Sequence, residues 1–168
     1  MANDDRDSTI VLNGLDDSRR ALLDLIENMR RTLYLYTPLV RPELYNDPDI
    51  LAAIRTRIVN QPRIRFHLLL PSARDWRSDN PGLVRLSERL TTALILRTPN
   101  RSEIPDSPEL GQAFAIADER MLLRFSDPRR LLGEYERQPS DQMKELLELF
   151  QMLWNRSQAD PELRRLGI

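Results

Sequence analysis

The sequence predicts an α/β fold: a mixed β-sheet flanked by helices. Two observations carry the class. Short β-branched or apolar runs alternate with segments whose apolar residues recur at helical spacing along the 168-residue chain. Near the end, GQAFAIADERMLLRFS breaks that alternation with two apolar stretches joined by a tight turn, which adds at least one antiparallel pair.

Each element follows from local chemistry. STIVLNG (8–14) is a short β-branched strand ended by an Asn-Gly turn. Asp16 and Asp17 open a helix to about Met29, with Ala21, Leu22, Leu25, Ile26 and Met29 on one face. TLYLYTPLV is a strand stopped by Pro38. NDPDILAAIRTRIV has an Asn/Asp cap and a first-turn proline, which together start a helix. RIRFHLLLP is a buried strand closed by Pro71, and SARDWRSDNPG is a polar loop. A helix from GLVRLSERLT reaches about Thr92, ALILRT is a strand, and PNRSEIPDSPELG is a loop. The hairpin supplies strands at about 112–117 and 120–125, and another loop follows. SDQMKELLELFQMLWNRSQ is a serine-capped helix with Met143, Leu146, Leu147, Phe150 and Trp154 at helical spacing. The tail DPELRRLGI is expected to pack back through Leu163, Leu166 and Ile168. Residues 1–8 read as a disordered leader and 9–168 as one domain, long enough to bury a core without staples.

Composition excludes several classes. The chain has no cysteine, so disulfides, thiolate metal sites and a cysteine nucleophile are absent. One histidine among scattered acids matches no metal-ligand spacing, and neither a metal nor a cofactor is expected. MANDDRDST lacks a signal-peptide core, and no run approaches a membrane-spanning length, so a cytoplasmic protein with no membrane partner is expected. A net charge of −1 makes nucleic acid an unlikely partner on this reading. Of the 25 basic residues only Lys144 is a lysine, the rest being arginine. Codon usage in a GC-rich genome explains this, as does an arginine-lined site for phosphate or carboxylate.

In open α/β sheets ligands sit beyond the carboxyl ends of strands. Those ends lead here into Tyr36-Thr37, Ser72 to Trp76, and Arg97-Thr98. His67, in mid-strand beside Arg65 and Leu69 by alternation, reads as structural, because nothing nearby offers a general base its partner. Asp118 has an ordinary role as a turn residue tolerant of special backbone angles. Glycine-rich phosphate loops and nucleophile elbows are absent.

The order of TLYLYTPLV, DILAAIRTRI, RIRFHLLLP, NPGLVRLSERLTTALILRT and the hairpin resembles the phospholipase D-like superfamily, over roughly residues 10–126 plus the closing helix. The chain is also similar to an uncharacterised bacterial domain family sharing LSERL…LILR, AIAD and a late Trp…DPELRRL. The superfamily resemblance implies a hairpin carrying HxKxxxxD followed by a Gly-Ser pair. With Asp118 at the motif's aspartate, the nucleophilic histidine falls at Gly111, the lysine at Ala113 and the pair at Phe125-Ser126. A phospho-histidine intermediate cannot form on glycine, and His67 lies on another strand.

The leading expectation is therefore a non-catalytic phospholipase D-like domain serving as a ligand-binding or protein-interaction module. Its candidate anion pocket comprises Arg85, Arg89, Arg97, Asp118, Arg124, Ser126 and Trp76. Guanidinium groups with an indole suit a phosphorylated or nucleotide-like ligand, while arginines salt-bridged in solvent are the ordinary reading. The alternative is a phosphodiesterase, nuclease or nucleic-acid binder using Arg97, Asp118 and Arg124 around a phosphate. The resemblance also implies a homodimer, since single-motif superfamily members pair their sites, or a protein partner such as an acetyltransferase domain.

Overall fold

The computed structural model describes residues 9–164. The expected leader at 1–8 lies outside them, as do Leu166 and Ile168 of the tail. The strands are β1 (Thr9–Asn13), β2 (Thr32–Tyr36), β3 (Arg65–Leu69), β4 (Leu94–Pro99), β5 (Ala113–Ala117), β6 (Met121–Asp127), β7 (Leu132–Glu136) and β8 (Ser157–Gln158). The helices are α1 (Leu15–Asn28), α2 (Pro42–Tyr45), α3 (Pro48–Asn60), α4 (Ala73–Trp76), α5 (Pro81–Arg89), α6 (Asp141–Asn155) and α7 (Pro161–Arg164).

One mixed sheet results, in the order β1-β7-β6-β5-β2-β3-β4-β8. The parallel part is β2-β3-β4, and β5 joins it antiparallel to β2. The carboxyl ends of β2, β3 and β4 thus meet at one pole, and their amino ends at the other. The hairpin turn Asp118–Arg120 stands at the amino-end pole, where the Asp118 N–H donates to Thr32 at 2.8 Å.

Caps explain where helices begin. Asp47 accepts from the backbone of Asp49 and Ile50 ahead of Pro48, and Ser140 accepts from Met143. At α1 the acids work differently. Gly14 caps without a side chain, and Asp17 reaches back to the Asn13 N–H at 2.9 Å.

Alternation along the strands sends side chains to two cores. Leu33, Leu35, Phe66 and Leu68 face α1, α3 and α5, which contribute Leu22, Leu25, Ile50, Ile54 and Leu83. Tyr36, Leu69, Phe114 and Ile116 face α6, which contributes Met143, Leu146, Phe150 and Leu153. Strand β5 is buried on both faces, so AFAIA carries no polar alternation. Leu163 packs against the first core as expected. No helix among the described residues is long and apolar enough to cross a membrane.

The structure adds pieces that periodicity did not reveal. LGEYE, expected as loop, is β7, paired with both β1 and β6. Its acidic residues and glycine hide the strand signal; only Tyr135 is buried. Two short helices, α2 and α4, interrupt expected loop or strand margins, and each is only one turn long.

Candidate functional site

A cleft of about 820 Å³ opens at the carboxyl-end pole of the parallel strands. Its floor is made by the residues that leave the three strands: Tyr36-Thr37-Pro38, Pro71-Ser72 and Thr98-Pro99. These are the strand ends the sequence pointed to. The opposing wall is the segment between β4 and β5, from which Arg101, Ile104, Asp106, Ser107, Pro108 and Leu110 contribute. Asp75 from α4 and Leu153 from α6 complete the lining.

Three ties hold the cleft's shape. The Tyr36 hydroxyl donates to the Leu110 carbonyl at 2.7 Å, pinning the wall to the floor. Burial pushes the Tyr36 hydroxyl pKa up, opposed in part by the nearby Arg101 charge, so the phenol stays a neutral donor. The Thr37 hydroxyl donates to the Leu39 carbonyl at 2.7 Å, which turns the chain sharply after β2. Buried Asp160 gathers the third side: one oxygen accepts from the Ala73 N–H at 2.6 Å and the Thr98 hydroxyl at 3.1 Å. Its other oxygen accepts from the Glu162 N–H at 2.9 Å.

Chemically the lining mixes apolar walls with a few polar groups. Arg101 is exposed and has no carboxylate partner among the described residues. Asp75 and Asp106 offer acceptors, and Ser72 offers a hydroxyl. That set suits a ligand with one anionic group and an organic body bearing hydroxyl or amino donors. It does not suit a densely charged polyanion, because the two acids offset the one arginine. Among the described residues no group of three or more His, Asp or Glu could hold a metal ion.

A smaller hollow of about 370 Å³ adjoins the cleft, sharing Pro38 with it. Gly111 and Ser126 line it, with Asp127 and Arg129. A side chain at 111 would meet nothing within 4 Å, so the position that the HxKxxxxD spacing assigns to histidine opens on free space. Ala113 is buried in the core, 1% exposed.

The seven residues of the expected anion pocket do not come together. Asp118 lines a hollow at the amino-end pole, whereas Ser126 lines the hollow beside the cleft. The Asp118 carboxylate accepts from the N–H groups of Arg30 at 2.6 Å, Arg31 at 2.8 Å and Thr32 at 3.0 Å. It clamps the α1–β2 connection. Arg97 donates to the Ser157 hydroxyl at 2.7 Å and lies over the Trp154 ring at 5.4 Å. Arg124 pairs with Glu134 at 2.5 Å and with Gln112 at 3.0 Å. Arg85 and Arg89 are exposed on α5. Trp76 is buried, donating its indole N–H to the Pro71 carbonyl at 2.7 Å, which supports the cleft floor from beneath. The sequence therefore located the pole but not the side chains. Asp75 falls within the Ser72 to Trp76 stretch the sequence points to, but Arg101 and Asp106 carry no signal, because no spacing rule separates a lining residue from a solvated one in a loop.

His67 lies between Tyr34, at 5.3 Å, and Trp154, at 5.0 Å between ring centroids. Burial, and secondarily the Arg65 charge, push its pKa below the ordinary imidazole value. Among the described residues its Nδ1 has no hydrogen-bond partner and no acid orients it.

Residues 14–166 match the family described as Domain of unknown function (DUF7931). No curated protein matches the chain. Among solved structures, the chain is similar to TrmBL2, an archaeal chromatin protein whose structure shows a novel mode of DNA binding. That likeness has a TM-score of 0.62 at 13% identity and covers 94% of this chain and 56% of that one. NucT from Helicobacter pylori superposes with a TM-score of 0.61 at 11% identity, covering 90% of this chain and 97% of that one. Nuc from Salmonella typhimurium, a phospholipase D family member, gives 0.56 at 14% identity, covering 89% and 97%. The chain thus spans little more than half the length of the chromatin protein and nearly all of the other two. Likeness at such identities shows the fold, and the fold is phospholipase D-like. It also corrects one expectation. Nucleic acid was judged an unlikely partner from net charge, yet a DNA-binding chromatin protein shares the architecture. Net charge sums the whole surface and does not constrain any one face of it.

Proposed function

Because the chain belongs to the DUF7931 family and carries a phospholipase D-like fold, we propose that it is a binding module that holds a phosphate-bearing organic ligand in the carboxyl-end cleft without hydrolysing it. One observation carries this reading. The cleft and its neighbouring hollow lie where the strand ends and the hairpin would assemble a phosphodiesterase site, but the two working positions of the motif are Gly111 and Ala113. A nucleophile is needed to form a covalent phospho-enzyme, and the one histidine is packed between aromatic rings on β3. Binding groups remain: Arg101 for the anion, Asp75 and Asp106 for donors on the ligand body, and prolines with Leu110 for its apolar face.

The enzymatic alternative places Arg97, Asp118 and Arg124 around one phosphate. Each of the three is engaged by a different partner, and Asp118 is at the other pole.

Calorimetric titration with nucleoside monophosphates and with inorganic phosphate tests the reading. Arg101→Ala should weaken nucleotide binding about tenfold or more, the scale of one lost charge-assisted hydrogen bond. Incubation with bis(p-nitrophenyl) phosphate and with linear duplex DNA should release no product. Turnover that survives purification, or binding indifferent to Arg101→Ala, would overturn it.

A further inference from the structure

The second pole of the sheet carries a different chemistry, and nothing about the cleft requires it. The α1–β2 turn supplies Arg30 and Arg31, the α3–β3 turn supplies Arg63, and the hairpin turn supplies Arg120. Arg30, Arg31 and Arg63 line one concavity of about 730 Å³ with Thr32, Gln61 and Pro62. Arg30 and Arg120 line the adjoining one of about 290 Å³. All four arginines are exposed, and none has a carboxylate partner among the described residues.

Two of the acids nearby are held by partners within the protein, although each keeps its charge. Asp118 gives its carboxylate to three backbone N–H groups. Asp24 accepts from the Tyr135 hydroxyl at 2.7 Å and pairs with Arg137 at 3.2 Å. Glu27 and Glu119 are exposed as well, so four acids stand against the five arginines Arg30, Arg31, Arg63, Arg120 and Arg137, of which the first four carry no ion pair among the described residues. The Asp118 clamp does a second thing. It fixes the backbone that bears Arg30 and Arg31, so their side chains project from a rigid turn and less order is lost on binding.

We propose that this amino-end pole is a contact surface for the phosphate backbone of a nucleic acid. Four arginines spread over two joined concavities match a chain of phosphates rather than a single anion. Neither concavity is lined by an aromatic residue or by leucine, isoleucine or valine for insertion into a bilayer, Pro62 and Met121 being the apolar residues there, which favours a nucleic acid over an anionic membrane. Contacts limited to phosphates predict affinity with little dependence on base sequence.

The test is fluorescence anisotropy with a labelled duplex of about 20 base pairs across a salt series. Four phosphate contacts give a log–log salt slope of about −3.6, so affinity falls roughly a hundredfold from 50 to 200 mM salt. The combined substitution Arg31→Ala and Arg63→Ala should shallow that slope by about 2, while Lys144→Ala on α6 leaves it unchanged. Thermal melts of each variant guard against loss of fold, and because all three side chains are exposed the melts should coincide with wild type. Absence of binding at 50 mM salt overturns the proposal. So does a slope unmoved by the double substitution, an equal effect from Lys144→Ala, or tighter binding to phosphatidylglycerol vesicles than to the duplex. The cleft reading is untouched by any of these outcomes, since it is measured by nucleotide titration at Arg101.

Discussion

Asp118 is where the hairpin stops being an isolated turn. It and Glu119 both adopt φ of 56°, and the Arg120 N–H returns to the Ala117 carbonyl at 3.0 Å, the geometry of a type I′ turn. Its carboxylate then ties that turn to β2 through three N–H groups. Asp118→Ala should cost about 2–4 kcal/mol in urea denaturation, since three charge-assisted bonds go and water regains only the exposed donors. A cost below about 0.5 kcal/mol would show the clamp to be incidental. His67 makes a prediction of its own. Burial keeps its folded pKa below the unfolded value near 6.5, so the unfolded chain takes up the proton first as pH falls. The wild type therefore loses stability below about pH 6.5, relative to a His67→Phe variant. Parallel stability profiles between pH 7.5 and 5 would contradict this.

At the scale of elements, β7 shows why a strand can be present without its usual signature. A Cβ at Gly133 would lie 1.8 Å from the Arg124 carbonyl oxygen and 2.8 Å from the Phe125 Cα. β6 and β7 approach here more closely than a side chain permits, beside the register shift between Phe125 and Asp127. Glycine is thus required by the neighbour and not by a turn. Gly133→Ala should destabilise by at least about 3 kcal/mol, or force β7 off the edge of β6, which amide exchange at Leu123 and Phe125 would reveal. The glycine that closes the sheet is the same residue that made LGEYE look like loop. The helices were legible by contrast, because Asp47 with Pro48 and Ser140 act within a few residues of their own position.

For the whole molecule, the mixed topology separates two poles of different chemistry. Parallel strands β2, β3 and β4 direct three chain exits into the cleft, and the antiparallel β5–β6 hairpin sends its turn to the other end. Salt should therefore discriminate between the poles. Polyanion binding at the arginine pole falls steeply with ionic strength, whereas the single anion of the cleft ligand responds weakly.

The class of fold, the capped helices and the pole bearing the cleft all rest on patterns within about fifteen residues of chain, and the sequence contains them in full. That Gly111 and Ala113 stand at the positions the motif spacing assigns to histidine and lysine is likewise written in the sequence. Which side chains meet is a different kind of fact. Asp118 reaches Arg30 across 88 positions and Asp160 reaches Ala73 across 87, and no local periodicity encodes such partners. Folding set Asp118 apart from Ser126 because the two ends of β5 lie on opposite poles of the sheet, and it engaged Arg97 and Arg124 with Ser157 and Glu134. It gathered Arg30, Arg31, Arg63 and Arg120 for the same reason, as the turns at the amino ends of adjacent strands must lie side by side.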